Sequence, residues 1–342
     1  MVPRSAAASL PSVITWIAAA CALGVCGSGG RLEPARASST PAGAPAPLTS
    51  SGPAATLGTT GSPPAVIVAV IRNDGILLPY AAFSGGTWDS PGPGWRHTGD
   101  EDDTSGPDDP GKSWFEMIGR TITTWHAAAS AGRSETLHVS GAVRIQVDCT
   151  DNWGLRTDRK PVGKKSEAGW PAGIALSGDA AAVAMRDVAG DAGEARAFLE
   201  LIRAPFDESE AAAKVAPAQQ ASIKLTGLYR SLGTVDGRAI YFVEAERDYT
   251  VTSPGGVCGP VTRFQAWMTR QGDAWRWLDR IVYLTDCDGK EANDVTPLGI
   301  LSLDGRTYVF AVENGYEDTR YSVLEVGASA IGHLLTIGEG GC

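Results

Sequence analysis

VCGPVTRFQAWMTRQGDAWRWLDRIVYLTDC, residues 257–287, is the stretch on which the fold class turns. Gly272-Asp273 stands at its centre and reads as a two-residue hairpin turn, with Gly272 at the position that asks for a positive φ. Opposed residues then sum to 545, which pairs Gln271 with Ala274, Arg270 with Trp275, Met268 with Trp277, Phe264 with Ile281 and Thr262 with Tyr283. That face is apolar. The other carries Arg263, Gln265 and Thr269 opposite Val282, Arg280 and Arg276, interrupted by Trp267 beside Leu278. Alternation with period two puts one face on a core and leaves the other half in water, the signature of an antiparallel hairpin.

Carried outward, the same sum sets Cys258 against Cys287 as a non-hydrogen-bonded pair, where Cα atoms approach to about 4.5 Å, within disulfide reach. Closing that loop is worth ~3.6 kcal/mol in a chain-entropy treatment. Cys149 and Cys342 form the second expected pair by elimination. Hairpins this long commonly hold a bulge, and Pro260 donates nothing to a ladder, so the register is the weak point of the pairing. Asp286 and Asp288 flank Cys287, with Glu291 and Asp294 close behind. Carboxylate neighbours raise a thiol pKa, so a stapled hairpin end is the better account of Cys287 than a nucleophile.

Elsewhere the chain consists mostly of short apolar or alternating runs broken by turn dipeptides, and the expectation is an all-β antiparallel protein. Asp74-Gly75, Asp236-Gly237 and Asp304-Gly305 are each followed by a strand pattern with an aromatic residue six places after the Asp: Tyr80, Phe242 and Phe310. With further strand clusters beginning near Trp114 and Ile174, these suggest about five units spaced by roughly 50–65 residues. A β-propeller-like fold of about five units is the first expectation, and a β-sandwich or two β domains the alternative. One short helix is expected near 207–216, where Asp207-Glu-Ser-Glu210 fits a capping box ahead of Ala211–Val215, stopped by Pro217; ARAFLELI before it suits either state.

Residues 1–37 read as a secretory leader: Arg4, then an apolar run from Leu10 to Val25 that is short for a bilayer span. Small residues ahead of Cys21 and Cys26 resemble a lipoprotein processing site, while Ala35-Arg36-Ala37 suits ordinary cleavage. An even set of four later cysteines fits an oxidising, extracytoplasmic compartment. Residues 38–64 carry no charge and consist almost wholly of Ser, Thr, Pro, Ala and Gly. They bury too little apolar surface to offset ordering, and form a linker spanning roughly 30 Å. Residues 65–342 make the all-β head.

A net charge of −10 argues against nucleic acid or an anionic membrane as partner, leaving membrane attachment to a lipid anchor. The basic cluster Arg156, Arg159, Lys160, Lys164 and Lys165 reads as a solvated loop. Two carboxylate groups are candidate calcium ligands: Asp100 and Asp102 in EDDTSGPDD, and Asp286, Asp288 and Asp294. No other cofactor is implied. His97, His126, His138 and His333 have no zinc spacing, and neither a nucleophile elbow nor a phosphate loop occurs.

Among the tryptophans, Trp88 and Trp95 in SGGTWDSPGPGW are the least easily buried and the candidate contact surface. The leading expectation is an exported, lipid-anchored envelope protein whose head binds a ligand, an envelope protein or a glycan without catalysis. The alternatives are a secreted carboxylate-dependent hydrolase and a calcium-stabilised surface domain.

Overall fold

The structure is a computed structural model that describes residues 66–91, 110–129, 134–147, 150–167, 169–212, 214, 222–248, 261–285, 293–315 and 318–339. Among the described residues the chain is all-β with two α-helices. In order, the elements are β1 (Val66–Arg72), β2 (Ile76–Ser84), β3 (Thr87–Asp89), α1 (Pro110–Thr121), β4 (Thr124–Ala129), β5 (Ser134–Val147), β6 (Thr150–Thr157) and β7 (Pro171–Ser177). There follow β8 (Ala182–Asp187), α2 (Ala192–Ala212), β9 (Lys224–Ser231), β10 (Ala239–Asp248), β11 (Val261–Gln271) and β12 (Ala274–Thr285). The last four are β13 (Asp294–Leu303), β14 (Arg306–Asn314), β15 (Thr319–Val326) and β16 (Ile331–Glu339).

Two sheets hold these strands. The first runs β1-β7-β4-β5-β6-β2-β3, and a further β1–β2 pairing closes six of its strands into a barrel with β3 as a flap. The second runs β12-β11-β10-β9-β8-β13-β14-β15-β16. It curls: Phe242 of β10 and Trp267 of β11 share one apolar cluster with Val309 and Leu324 of β14 and β15, which stand several strands away in the ladder. The five-unit propeller is therefore not confirmed, because the strands pair into one closed ring and one long curled sheet instead of five separate blades.

Why β1 is buried along its whole length follows from this arrangement. Val66, Val68 and Val70 face the curled sheet, where they meet Leu301, Tyr308, Phe310 and Val323. Ile67, Ala69 and Ile71 face the barrel interior with Trp125, Leu137 and Leu155. Such a strand reads as a continuous apolar run, VIVAVI, up to Arg72, because neither face meets water. The sheets touch closely at Gly299, where a Cβ would stand 2.7 Å from Cδ1 of Ile174. Only glycine lets β7 approach β13 so nearly.

Helix α1 fills the barrel interior with Phe115 and Ile118. Trp114 thus begins no strand; Trp114, Phe115 and Ile118 recur at helical spacing behind Pro110 at the first helical position, where its missing N–H costs nothing. Ile174, by contrast, does lie in a strand.

The second helix is also longer than the sequence indicated. It starts at Ala192, with Asp191 as its cap: Oδ1 of Asp191 accepts the amides of Gly193 (2.9 Å) and Glu194 (3.1 Å). ARAFLELI is helical, and Asp207–Glu210 lies inside the helix, past Pro205, in its final turns. The capping box assigned there does not form, since Asp207 and Glu210 accept from Arg247 of β10 instead.

The hairpin of β11 and β12 keeps the sum of 545 for Gln271–Ala274 through Met268–Trp277, and Gly272 has φ 58°. A bulge between Trp267 and Met268 then moves the sum to 546, so that Phe264 faces Val282 and Thr262 faces Leu284. Leu278 is the extra residue. It turns into the interior of the curl, where burying its side chain compensates the lost ladder contact. The register that set Cys258 against Cys287 holds only for the turn-proximal part of the hairpin. These two cysteines, with Cys149, Cys342, Cys21 and Cys26, lie outside the described residues.

Candidate functional site

β8 is short, and its shortness opens the site. It pairs with β13 through Ala182–Ala184 and with β9 through Met185–Asp187. Beyond Asp187 the chain leaves for α2, so β9 and the start of β13 lose the strand between them. Here lies a cleft of about 390 Å³ lined by Arg186, Asp187, Tyr229, Thr296, Pro297 and Leu298, with Pro171 of the barrel across from them.

The back of this region is polar and closed. Glu244 of β10 lies opposite Gly227 of β9 and Gln265 of β11. Gly227 has no side chain to obstruct it: a Cβ there would come within 3.2 Å of Oε2 of Glu244 and 3.1 Å of the Tyr229 ring. Through that gap Oε1 of Glu244 accepts the Val295 amide at 3.0 Å and the Gln265 amide side chain at 2.8 Å. Gln265 also donates to the Asn293 carbonyl. Glu244 and Gln265 therefore fasten the start of β13 onto a part of the sheet where backbone pairing has lapsed.

Burial pushes the Glu244 carboxyl up to about 7, reinforced by Asp294 and opposed by the bonds from Val295 and Gln265 and by Arg263. Burial likewise lifts the Tyr229 phenol to about 12, with Asp187 and Glu244 adding to the effect and Thr296 acting against it. Asp187 is half of a tight turn, its Oδ1 accepting the Ala189 amide at 2.8 Å. Arg186 differs from all of these. It lines the cleft, is exposed, and its guanidinium makes no hydrogen bond or ion pair with another described residue.

A second cleft, of about 440 Å³, lies between the β4–β5 hairpin and the turn after β7, lined by His126, Ser134, Glu135, Thr136, Asp179 and Ala180. Glu135 already pairs with Arg159 at 3.2 Å.

The residues singled out in the sequence are scattered with respect to these clefts. Trp88 is half-buried, its ring 5.1 Å from Phe83, 5.2 Å from Tyr308 and 5.5 Å from Phe310, so its indole packs on the core between barrel and sheet. Trp95, Asp100, Asp102, Asp286 and Asp288 lie outside the described residues. Asp294 is exposed, and its Oδ1 accepts from Nη1 of Arg263 at 2.8 Å. Among the described residues no three His, Cys, Asp or Glu side chains converge as a metal-binding group. No helix among them is long and apolar enough to cross a membrane.

The most exposed tryptophan described is Trp170, at 61 %. It sits at the end of the barrel, one peptide before the cleft residue Pro171. Its backbone is held firmly: the Trp170 amide donates to the Glu167 carbonyl at 3.0 Å, and its own carbonyl accepts the Asn73 amide at 2.9 Å. The sequence around it, AGWPAG, holds only small residues and proline and does not separate an exposed indole from a buried one. No family model, curated protein or solved structure matches the chain.

Proposed function

We propose that the chain is an exported, envelope-displayed protein whose β head binds an anionic ligand without catalysis. The unpaired Arg186 guanidinium in the cleft between barrel and curled sheet carries this reading. A guanidinium offers donors in a fixed fork that suits a carboxylate or phosphate, and here no protein carboxylate occupies it. Tyr229 and Thr296 add neutral polar groups to the same wall, and Leu298 and Pro297 an apolar floor, the usual mixture of a small-ligand site.

Galacturonate serves as a carboxylate probe. Its binding to the wild-type protein by calorimetry is expected to weaken about tenfold or more in Arg186→Ala, which corresponds to the loss of one charge-assisted contact. Equal affinity of the two proteins, or no binding by either, rejects Arg186 as an anion site.

A carboxylate-dependent hydrolase is the second reading, and Glu244 is the observation that favours it, since a carboxyl at about 7 suits a general acid. Glu244 is committed to Val295 and Gln265, however, and Asp187 is the carboxylate that lines the cleft. Hydrolysis by a carboxylate pair needs both groups on the substrate.

Display outside the cytoplasm rests on the leader in residues 1–37 and the uncharged linker in residues 38–64. Mass spectrometry of the protein from fractionated cells is expected to find it in the envelope or medium, either beginning after Ala37 or carrying lipid on Cys21 or Cys26. An intact Met1 in the cytosolic fraction overturns display.

A further inference from the structure

The barrel end beside the cleft is built around the β1–β2 turn. Asn73 takes Trp170 on one side, by its amide, and Val162 on the other, its carbonyl accepting the Val162 amide at 2.7 Å. Its side chain donates to the Glu167 carbonyl at 3.1 Å. Thr157 donates both its amide and its hydroxyl to the Gly75 carbonyl. The loop from Thr157 to Trp170 is thus tied at several points to one tight turn, where Gly75 has φ 81° and its missing Cβ would meet the Arg159 carbonyl.

What this loop presents to water is unusual for the molecule. Trp170 is 61 % exposed and Val162 53 %. Around them Arg156, Lys160, Lys164 and Lys165 are exposed, and none of their side chains pairs with a carboxylate of a described residue. Residues 156–167 hold five Lys or Arg against Asp158 and Glu167, a net of +3 on a chain whose total is −10. A fixed apolar pair set in unpaired cations attracts a ligand that is anionic and has flat apolar faces.

We infer that this barrel end and the Arg186 cleft form one continuous track for an anionic polysaccharide, one uronate-type sugar seated in the cleft and the chain continuing across Trp170 toward Lys164 and Lys165. This rests on the anion-binding role given to Arg186 above. Continuity comes from the covalent chain: Trp170 and the cleft residue Pro171 have Cα atoms about 3.8 Å apart. Indole faces stack on the C–H faces of sugar rings, and exposed lysines supply long-range attraction to repeated carboxylates.

Polygalacturonate, dextran and vesicles containing anionic phospholipid, each titrated with the full protein, test this. Polygalacturonate is expected to bind more tightly than galacturonate, to lose about tenfold or more between ~50 and ~500 mM salt, and to leave dextran unbound. Trp170→Ala and Lys164→Glu/Lys165→Glu change exposed side chains and are each expected to weaken the polymer about tenfold while leaving galacturonate binding unchanged. If both variants bind the polymer like wild type while Arg186→Ala still loses galacturonate, the track is wrong and the cleft stands. Loss of neither ligand in any variant removes both. Binding to the anionic vesicles with none to polygalacturonate also overturns the track and puts a membrane in its place.

Discussion

Arg247→Met is expected to destabilise the protein by about 3–5 kcal/mol, the cost of leaving a buried charge without its partner. The Arg247 side chain is 6 % exposed and that of Glu210 is fully buried, and the two pair directly. Asp207 is a weaker second acceptor at 3.4 Å, half in water, and the guanidinium lies 5.6 Å from the centre of the Phe206 ring. Methionine keeps much of the volume and the contact with Phe206 but removes the buried cation that pairs with Glu210. The damage falls on the end of α2, where Pro205 has already removed one backbone hydrogen bond and the turn must be held from outside. Arg247→Met/Glu210→Leu is expected to regain most of the loss, because replacing both charges by apolar side chains of similar size is commonly neutral. Urea unfolding midpoints of the three proteins check this. A single substitution that costs less than about 1 kcal/mol shows that Glu210 is satisfied without Arg247.

Arg247 also shows what the sequence did and did not display. In β10, AIYFVEAERD, Tyr241, Val243 and Ala245 point at α2, and Arg247 continues that phase; Ile240 and Phe242 point into the curl, and Glu244 continues the other. Each face of the strand thus ends its apolar series on a charge, and those two charges are the buried ion pair and the strap under the cleft. That alternation was legible. Its partners were not, since Glu210 and Val295 are 37 and 51 positions away and are brought in by helix packing and by the gap that β8 leaves. The capping pattern at Asp207–Glu210 misled because the acids there answer a cation from another element.

The β class, the turn at Gly272 and the first pairs of the hairpin came from period two and turn chemistry, which are local. The bulge at Leu278 did not, because what favours it is the apolar interior of the curl, which only the folded sheet creates. Asp236-Gly237 and Asp304-Gly305 do share one turn, with φ near 52° and 72–73° at their two positions, whereas Asp74-Gly75 belongs to a three-residue loop. Tyr80 and Phe310 then meet edge to face at 6.4 Å, and Phe242 lies in a different core. The recurring dipeptide repeats a hairpin corner, and corners alone do not fix whether the strands close as blades or as a ring.

The second large effect is a fall in stability as pH rises from about 4.5 to about 7, removed in Glu244→Gln. The folded protein keeps the Glu244 proton up to about 7, while an unfolded carboxyl gives it up near 4.5. Between those values the unfolded state binds fewer protons than the folded one, so unfolding becomes easier with each step upward in pH. Below the window both states are protonated and the term is fully favourable; above it both are ionised, and the folded state carries a buried carboxylate. Taken over the window, the difference is about 3 kcal/mol at 1.36 kcal/mol per unit. Asp294 and Arg263 are the charged groups that act on it, and burial raises the neighbouring phenols of Tyr229 and Tyr283 further above this window. Glutamine keeps an acceptor for the Val295 amide and stays neutral at every pH, so its stability is expected to be flat where the wild type declines. Denaturant midpoints at intervals from pH 4 to 8 give the result directly, and a wild-type slope that persists unchanged in Glu244→Gln places the titrating group elsewhere. Glu244 fastens β13 beside Tyr229 and Thr296, so the loss is expected to begin at the cleft. Amide exchange at Val295 should therefore quicken across the same pH window beyond the intrinsic rise, and before the core of the barrel responds.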